Sequence, residues 1–245
     1  MKGEELSGER RAAYRSACMR LAYLAADRPE LQYTAEEAAR VMQSPNENGW
    51  QLLKRAARFL CGFPRLVCRY DRQARKPHLD VFTDTNHAGC TQTRKSTSCV
   101  VIMRGKHWIK SSTSTQSTIG LSSGESEFHG IVKGTSQALG CQVMCGDLGR
   151  DVEPRLWADA TAGLGIAMRR GLGKIRHLHT PLLWVQKVFH DRRATIGKVA
   201  GNENCADLGT KVLSGKEVWK HLTRMGFEAR SGKSKLALEA STETA

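Results

Sequence analysis

A chain of 245 residues, 40% hydrophobic and 25% charged, has the composition of a globular protein and the length for one large domain or two ordinary ones. Its 38 Lys and Arg against 24 Asp and Glu leave a net charge of +14, a balance that favours a polyanionic partner such as nucleic acid or an acidic membrane surface. No apolar run nears the ~18 residues that span a bilayer, and MKGEELSGERR has no signal-peptide core, so no membrane partner and an intracellular location are expected, cytoplasm and nucleus being equally open.

In chain order, residues 8–62 predict three helices: Glu9 to Ala26, Arg28 to Met42 behind an Asp27-x-x-Glu30 capping pattern, and Gly49 to Leu60. CGFPR (61–65) ends them. RLVCRYD (65–71) reads as a short alternating strand and DRQARKP (71–77) as a linker. From His78 the period becomes two, and LDVFTD, STSCVVIM and KHWIKSS predict three strands, the last two joined by a tight turn at Arg104-Gly105.

A helix is expected from Ser123 to about Leu139, a strand at RLWAD (155–159), a short helix over Ala160–Arg170 and a longer one over Leu178–Asp191. ATIGKVA (194–200) predicts a fifth strand, and Cys205–Val212 and Gly215–Met225 a last pair of helices. RSGKSKLALEASTETA has too weak a pattern for an element and reads as a mobile tail. Eight cysteines are scattered through hydrophobic contexts without framework spacing, which suits reduced thiols. The division is an all-helical segment, then an α/β sheet domain from about 76 to 214.

LSSGESEFHG (121–130) holds two glutamates two positions apart. Ser122-x-x-Glu125 has the form of a capping box, which occupies Glu125 at the helix start. Glu127 then lies about 200° around the helix and faces elsewhere. Asp84 closes the first strand of the sheet region, Asp159 the fourth, and Asp207 opens a late helix. Together with Glu127 they can gather carboxylates whose repulsion a hard cation such as Mg²⁺ relieves. Singly, Asp84 also suits a turn, Asp159 and Asp207 helix caps, and Glu127 a solvated face.

TDTNHAG (83–89), RKSTS (94–98), WIKSSTSTQSTIGLSSGESEF (108–128), WADATAGLGIA (157–167), KIRHLHTPLLWVQ (174–186) and ADLGTK (206–211) resemble, in order, the ribonuclease H domain of copia-like retrotransposon Pol polyproteins. YRSACMRLAYLAADRPELQYTAEEAARVM (14–42) and WQLLKRAARFLCG (50–62) are similar to the thumb and connection region that follows the polymerase palm. The likeness covers about residues 10–213.

The resemblance implies a ribonuclease H-like α/β fold: a mixed five-stranded sheet with helices on both faces, preceded by a small helical segment. It divides the chain into a thumb/connection-like remnant (1–75), a ribonuclease H-like domain (76–214) and a C-terminal helix with its tail (215–245). Asp84, Glu127, Asp159 and Asp207 match the family's D-E-D-D set, expected to hold two Mg²⁺ ions, or Mn²⁺, and to hydrolyse the RNA strand of an RNA–DNA hybrid. Asp84 is expected to serve both ions, Glu127 and Asp159 one each, and Asp207 the water-activating side.

Phosphate contacts are expected from Arg169, Arg170, Lys174 and Arg176 in MRRGLGKIRHLH (168–179), and from Arg94 and Lys95. VAGNENCAD (199–207) carries Asn204 and no histidine where cellular ribonucleases H have a His loop. No Tyr-x-Asp-Asp occurs, so the polymerase domain would belong to an intact parent polyprotein. Two other readings stand beside this one: a nucleic-acid-binding remnant that does not cut, and a zinc protein built on Cys141 and Cys145 with His129, His177 or His179.

Overall fold

The structure, a computed structural model, describes residues 3–232. Helices α1 (Gly8–Leu24), α2 (Gln32–Arg40) and α3 (Glu47–Gly62) close around Tyr14, Cys18, Leu21, Leu31, Ala38 and Leu53. Asn46 caps α3 by accepting from Gly49 N at 2.9 Å. The capping box expected at Asp27 does not form. Pro29 instead opens a 3-10 turn, Pro29–Leu31, and Glu30 accepts from the Arg28 guanidinium at 2.6 Å.

There follow β1 (Leu66–Cys68), β2 (His78–Asn86), β3 (Thr97–Arg104), β4 (His107–Thr115), α4 (Ser123–Asp147) and β5 (Glu153–Ala158). The chain continues through α5 (Thr161–Met168), α6 (Trp184–His190), β6 (Thr195–Lys198), α7 (Gly215–Arg224) and β7 (Phe227–Ala229). The main sheet has the order β4-β3-β2-β5-β6. β2, β3 and β4 pair antiparallel, while β2–β5 and β5–β6 pair parallel. This is the mixed five-stranded, ribonuclease H-like sheet with helices on both sides.

Burial on two faces explains why β3 reads as an unbroken apolar run. Val100 and Ile102 join Val81, Leu156, Phe128, Ile131 and Val185 under α4, α5 and α6. Cys99 and Val101 join Phe82, Leu222, Met225 and Phe227 under α7 and β7. The strand expected at 65–71 forms as β1, and it pairs antiparallel with β7, whose three residues are too few for the pattern to announce.

Three helices differ from expectation. α4 runs to Asp147, eight residues beyond Leu139, because Cys141 and Cys145 still pack on the core and outweigh the glycines there. The helix expected from Leu178 begins instead with a 3-10 turn, Thr180–Leu183, which has Pro181 in its first turn, where a missing N–H costs nothing, and His179 in extended backbone before it. Cys205–Gly209 is likewise a 3-10 turn. The expected mobile tail lies, from residue 233 onward, outside the described residues.

The N-terminal helices seat on the edge strand β4. Gln32 Nε2 donates to Ser111 O at 3.1 Å and to Ser111 Oγ at 2.9 Å, while Glu36 Oε1 accepts from Thr115 N at 2.8 Å. Backbone groups that an open edge would leave free are thereby taken up. The turn Pro29–Leu31 also packs against Cys205–Gly209. All eight cysteines are free.

Candidate active site

β2 and β5 are parallel neighbours, so their carboxyl ends meet on one edge of the sheet. Thr83 pairs with Ala158. One step further along each strand come Asp84 and Asp159, which the register sets side by side. β2 also continues to β3 on its other flank, so this is the place where connections diverge and ligands find a crevice.

α4 supplies the third carboxylate. Ser122 caps it, its Oγ accepting from Glu125 N at 3.2 Å, whereas Glu125 reaches back to Leu121 N at 2.9 Å and not to the serine's own N–H. Glu125 is also held by His177 at 3.0 Å. Burial opposes its charge, but these bonds and His129 outweigh that and hold its pKa below the usual value. Glu127 turns to the other side. Close approach fixes it there: a Cβ at Gly130 would stand 2.6 Å from Thr85 Oγ1, and one at Gly163 of α5 would stand 2.7 Å from Glu127 Cβ.

One carboxylate oxygen each of Asp84, Glu127 and Asp159 lies within 4.8 Å of the others. Burial, then the charges of Asp84 and Asp159, push the Glu127 pKa up to about 9. Burial likewise raises that of Asp84, with Asp207 and Asp159 adding to it and Lys211 and Thr210 opposing. Asp207 stands beside this trio and is joined to it through Lys211, whose Nζ lies 2.7 Å from Asp207 Oδ1 and 3.3 Å from Asp84 Oδ1. Thr210 Oγ1 donates to Asp84 Oδ2.

Asn204 sets this segment against the sheet. Its Nδ2 donates to Thr83 O at 2.9 Å, and its Oδ1 accepts from Ala206 N at 3.2 Å, capping the turn that carries Asp207. The roles of Thr210 and Lys211 were missed from sequence. The Asp207–Lys211 spacing of four was a visible signal, but the link to Asp84 was not.

The donor set suits a hard divalent cation, since it offers carboxylate oxygens alone. Glu127 Oε2 is buried with no hydrogen-bond partner, an orphaned acceptor of the kind that a cation satisfies. Among the described residues no His/Cys cluster is placed to share an ion. Cys141 and Cys145 face the core, and His129 and His177 face Glu125, at 3.9 and 3.0 Å, so the zinc alternative finds no site.

The basic residues are less uniform than the sequence suggested. Arg94, Lys174 and Arg176 are exposed and Lys95 half-buried. Arg169 turns back to donate to Leu172 O, and Arg170 meets His190. His177 ties this basic loop to the start of α4.

Among the described residues no helix is long and apolar enough to cross a membrane. No protein-family model matches the chain. It is 24% identical over 204 residues, 82% of its length, to the retrovirus-related Pol polyprotein from transposon RE2 of Arabidopsis thaliana. It is 22% identical over 213 residues, 86% of its length, to that from transposon TNT 1-94 of Nicotiana tabacum. The chain spans 14% and 16% of the length of these two relatives. A structural neighbour is the N-terminal RNase H domain of Rv2228c from Mycobacterium tuberculosis, at 14% identity and a TM-score of 0.37, covering 61% of this chain and 98% of that one. By its sequence, then, the chain is a relative of the copia-like retrovirus-related Pol polyproteins.

Proposed function

We propose that the protein hydrolyses the RNA strand of RNA–DNA hybrids, with Asp84, Glu127, Asp159 and Asp207 as its catalytic carboxylates. The observation that carries this reading is the meeting of three carboxylates from β2, α4 and the end of β5 within 4.8 Å, at the divergence point of a ribonuclease H-like sheet. Because the oxygens of Asp84, Glu127 and Asp159 converge, these three would hold one magnesium ion, Glu127 and Asp159 sharing it instead of serving one each, and Asp84 with Asp207 would hold a second. Bound there, such ions supply the Lewis acidity that activates a water and stabilises the departing 3′-oxygen.

The chain's own groups do the rest. Asp84 is the fixed point, 2% exposed and gripped by Thr210, so its oxygens hold their aim. Glu127 is held by the close contact of α4 with α5 and presents an oxygen with no competing partner. Asn204 keeps Asp207 in register with β2. No nucleophilic side chain is required.

Binding strength would come from phosphate contacts, with Arg94, Lys95, Lys174 and Arg176 as the accessible cations, and Arg169 and Arg170 after release from their loop contacts. The domain division expected from sequence, with a thumb/connection-like segment over 1–75, belongs to the same proposal, as does a polymerase domain elsewhere in a parent polyprotein.

The test is cleavage of an end-labelled RNA–DNA hybrid in Mg²⁺ or Mn²⁺. Wild type should cut the RNA strand, and Asp84→Asn should not. A wild-type protein that binds the hybrid with a steep salt dependence and leaves it whole would replace this reading with that of a binding remnant.

A further inference from the structure

Asp84 and Asp207 share a cation that the chain itself supplies. Lys211 Nζ stands 2.7 Å from Asp207 Oδ1 and 3.3 Å from Asp84 Oδ1. An exposed lysine four residues from an aspartate would ordinarily contribute little. This one differs because its second partner comes from 127 residues away and is only 2% exposed. With Thr210 on Asp84 Oδ2, both oxygens of Asp84 are engaged from the Asp207 side. On the other side Glu127 Oε2 has no hydrogen-bond partner. The cluster is therefore asymmetric: one edge carries its own positive charge and the other does not.

We propose that Lys211 is a built-in counter-cation for the Asp84–Asp207 edge, so that a divalent ion is taken first by Asp84, Glu127 and Asp159, and a second reaches Asp84 and Asp207 only by displacing the ammonium. This rests on the metal-binding reading above. Two cations on the same oxygens repel strongly at such separations. The carboxylates are fixed, with side-chain exposures of 2% and 12%, whereas the lysine side chain is 43% exposed. It can swing into water on its flexible stem, where the carboxylates cannot. Lys211 thus sets the concentration at which the second ion binds, and so the working range between one-ion and two-ion states.

Calorimetric titration of Mg²⁺, and of Mn²⁺, into the full chain without nucleic acid tests this. Wild type should bind one ion well and a second more weakly. Lys211→Met, which keeps length and removes charge, should tighten the second event about tenfold or more, the scale of one partly buried charge pair, and leave the first unchanged. Lys211→Arg should behave like wild type. Should Lys211→Met fail to fold by circular dichroism, Lys211→Gln gives the same decision, since it too removes the charge. A second event unaltered in the neutral Lys211 variant, or two equal events in wild type, would each overturn the inference. Failure of the metal-site reading looks different, because Asp84→Asn would then bind ions as wild type does.

Discussion

Asn204 Nδ2 donates to the backbone oxygen of Thr83 at 2.9 Å, one residue before Asp84. One amide therefore joins the segment of Asp207 to the strand of Asp84, although more than a hundred residues separate them. Asn204 is wholly buried, and its Oδ1 also caps the turn at Ala206. Asn204→Ala would strand the Thr83 oxygen and the Ala206 N–H away from water. The expected loss is about 1–3 kcal/mol in urea denaturation, with cleavage falling further than stability at a temperature where the variant remains folded.

Gly163 sets a steric limit. A methyl group there would meet Glu127 Cβ at 2.7 Å, closer than side chains tolerate. Gly163→Ala must push α5 away from α4 or shift the backbone that carries Glu127, at a cost of about 1–3 kcal/mol. Wild type should gain about 2.7 kcal/mol from magnesium at a hundred times its Kd. The variant should gain clearly less at the same concentration, as read by the magnesium-dependent shift in melting temperature. An equal shift would mean that Glu127 tolerates displacement.

His221 gives the metal-free protein an acid-side weakness. It lies on α7, 4% exposed, with Nδ1 unpartnered. Burial, then Lys220 and Arg224, hold its pKa below the ordinary 6.5. The unfolded chain takes up the proton first as pH falls, so His221 costs nothing above 6.5 and subtracts stability as pH drops below it. His221→Leu should flatten urea midpoints measured from pH 7 downward, most visibly just below 6.5. An unchanged slope would assign the acid limb to other groups.

Gln32 joins the helical segment to the sheet. Its amide donates to Ala25 O at 3.1 Å as well as to Ser111. Gln32→Ala should cost about 1–3 kcal/mol and quicken hydrogen exchange along β4. Exchange that accelerates only in α1 to α3 would show that the edge strand does not depend on this contact.

Much of the site was legible locally. Alternation in LDVFTD set Asp84 near a strand end, and Ser122 three residues before Glu125 marked a helix start and sent Glu127 to another face. These are statements about neighbours in sequence, which periodicity and capping govern directly. The same local logic failed at Asp27-x-x-Glu30, where Pro29 and the Arg28 guanidinium competed successfully for the backbone and the carboxylate. It stopped α4 too early, because burial of Cys141 and Cys145 on the core overrides two glycines.

What the sequence by itself determined was the five strands of the main sheet, most of the helices and the order of the acids along them. Tertiary structure alone decided that Asp84 and Asp159 stand side by side, through the parallel register of β2 and β5, and that Lys211 reaches across to Asp84. It also decided that β1 finds β7 and that α2 shields the edge of β4. Strand pairing and cross-chain ion pairs join groups far apart in the chain, and no local period carries information about which distant backbone will satisfy a hydrogen bond or a charge.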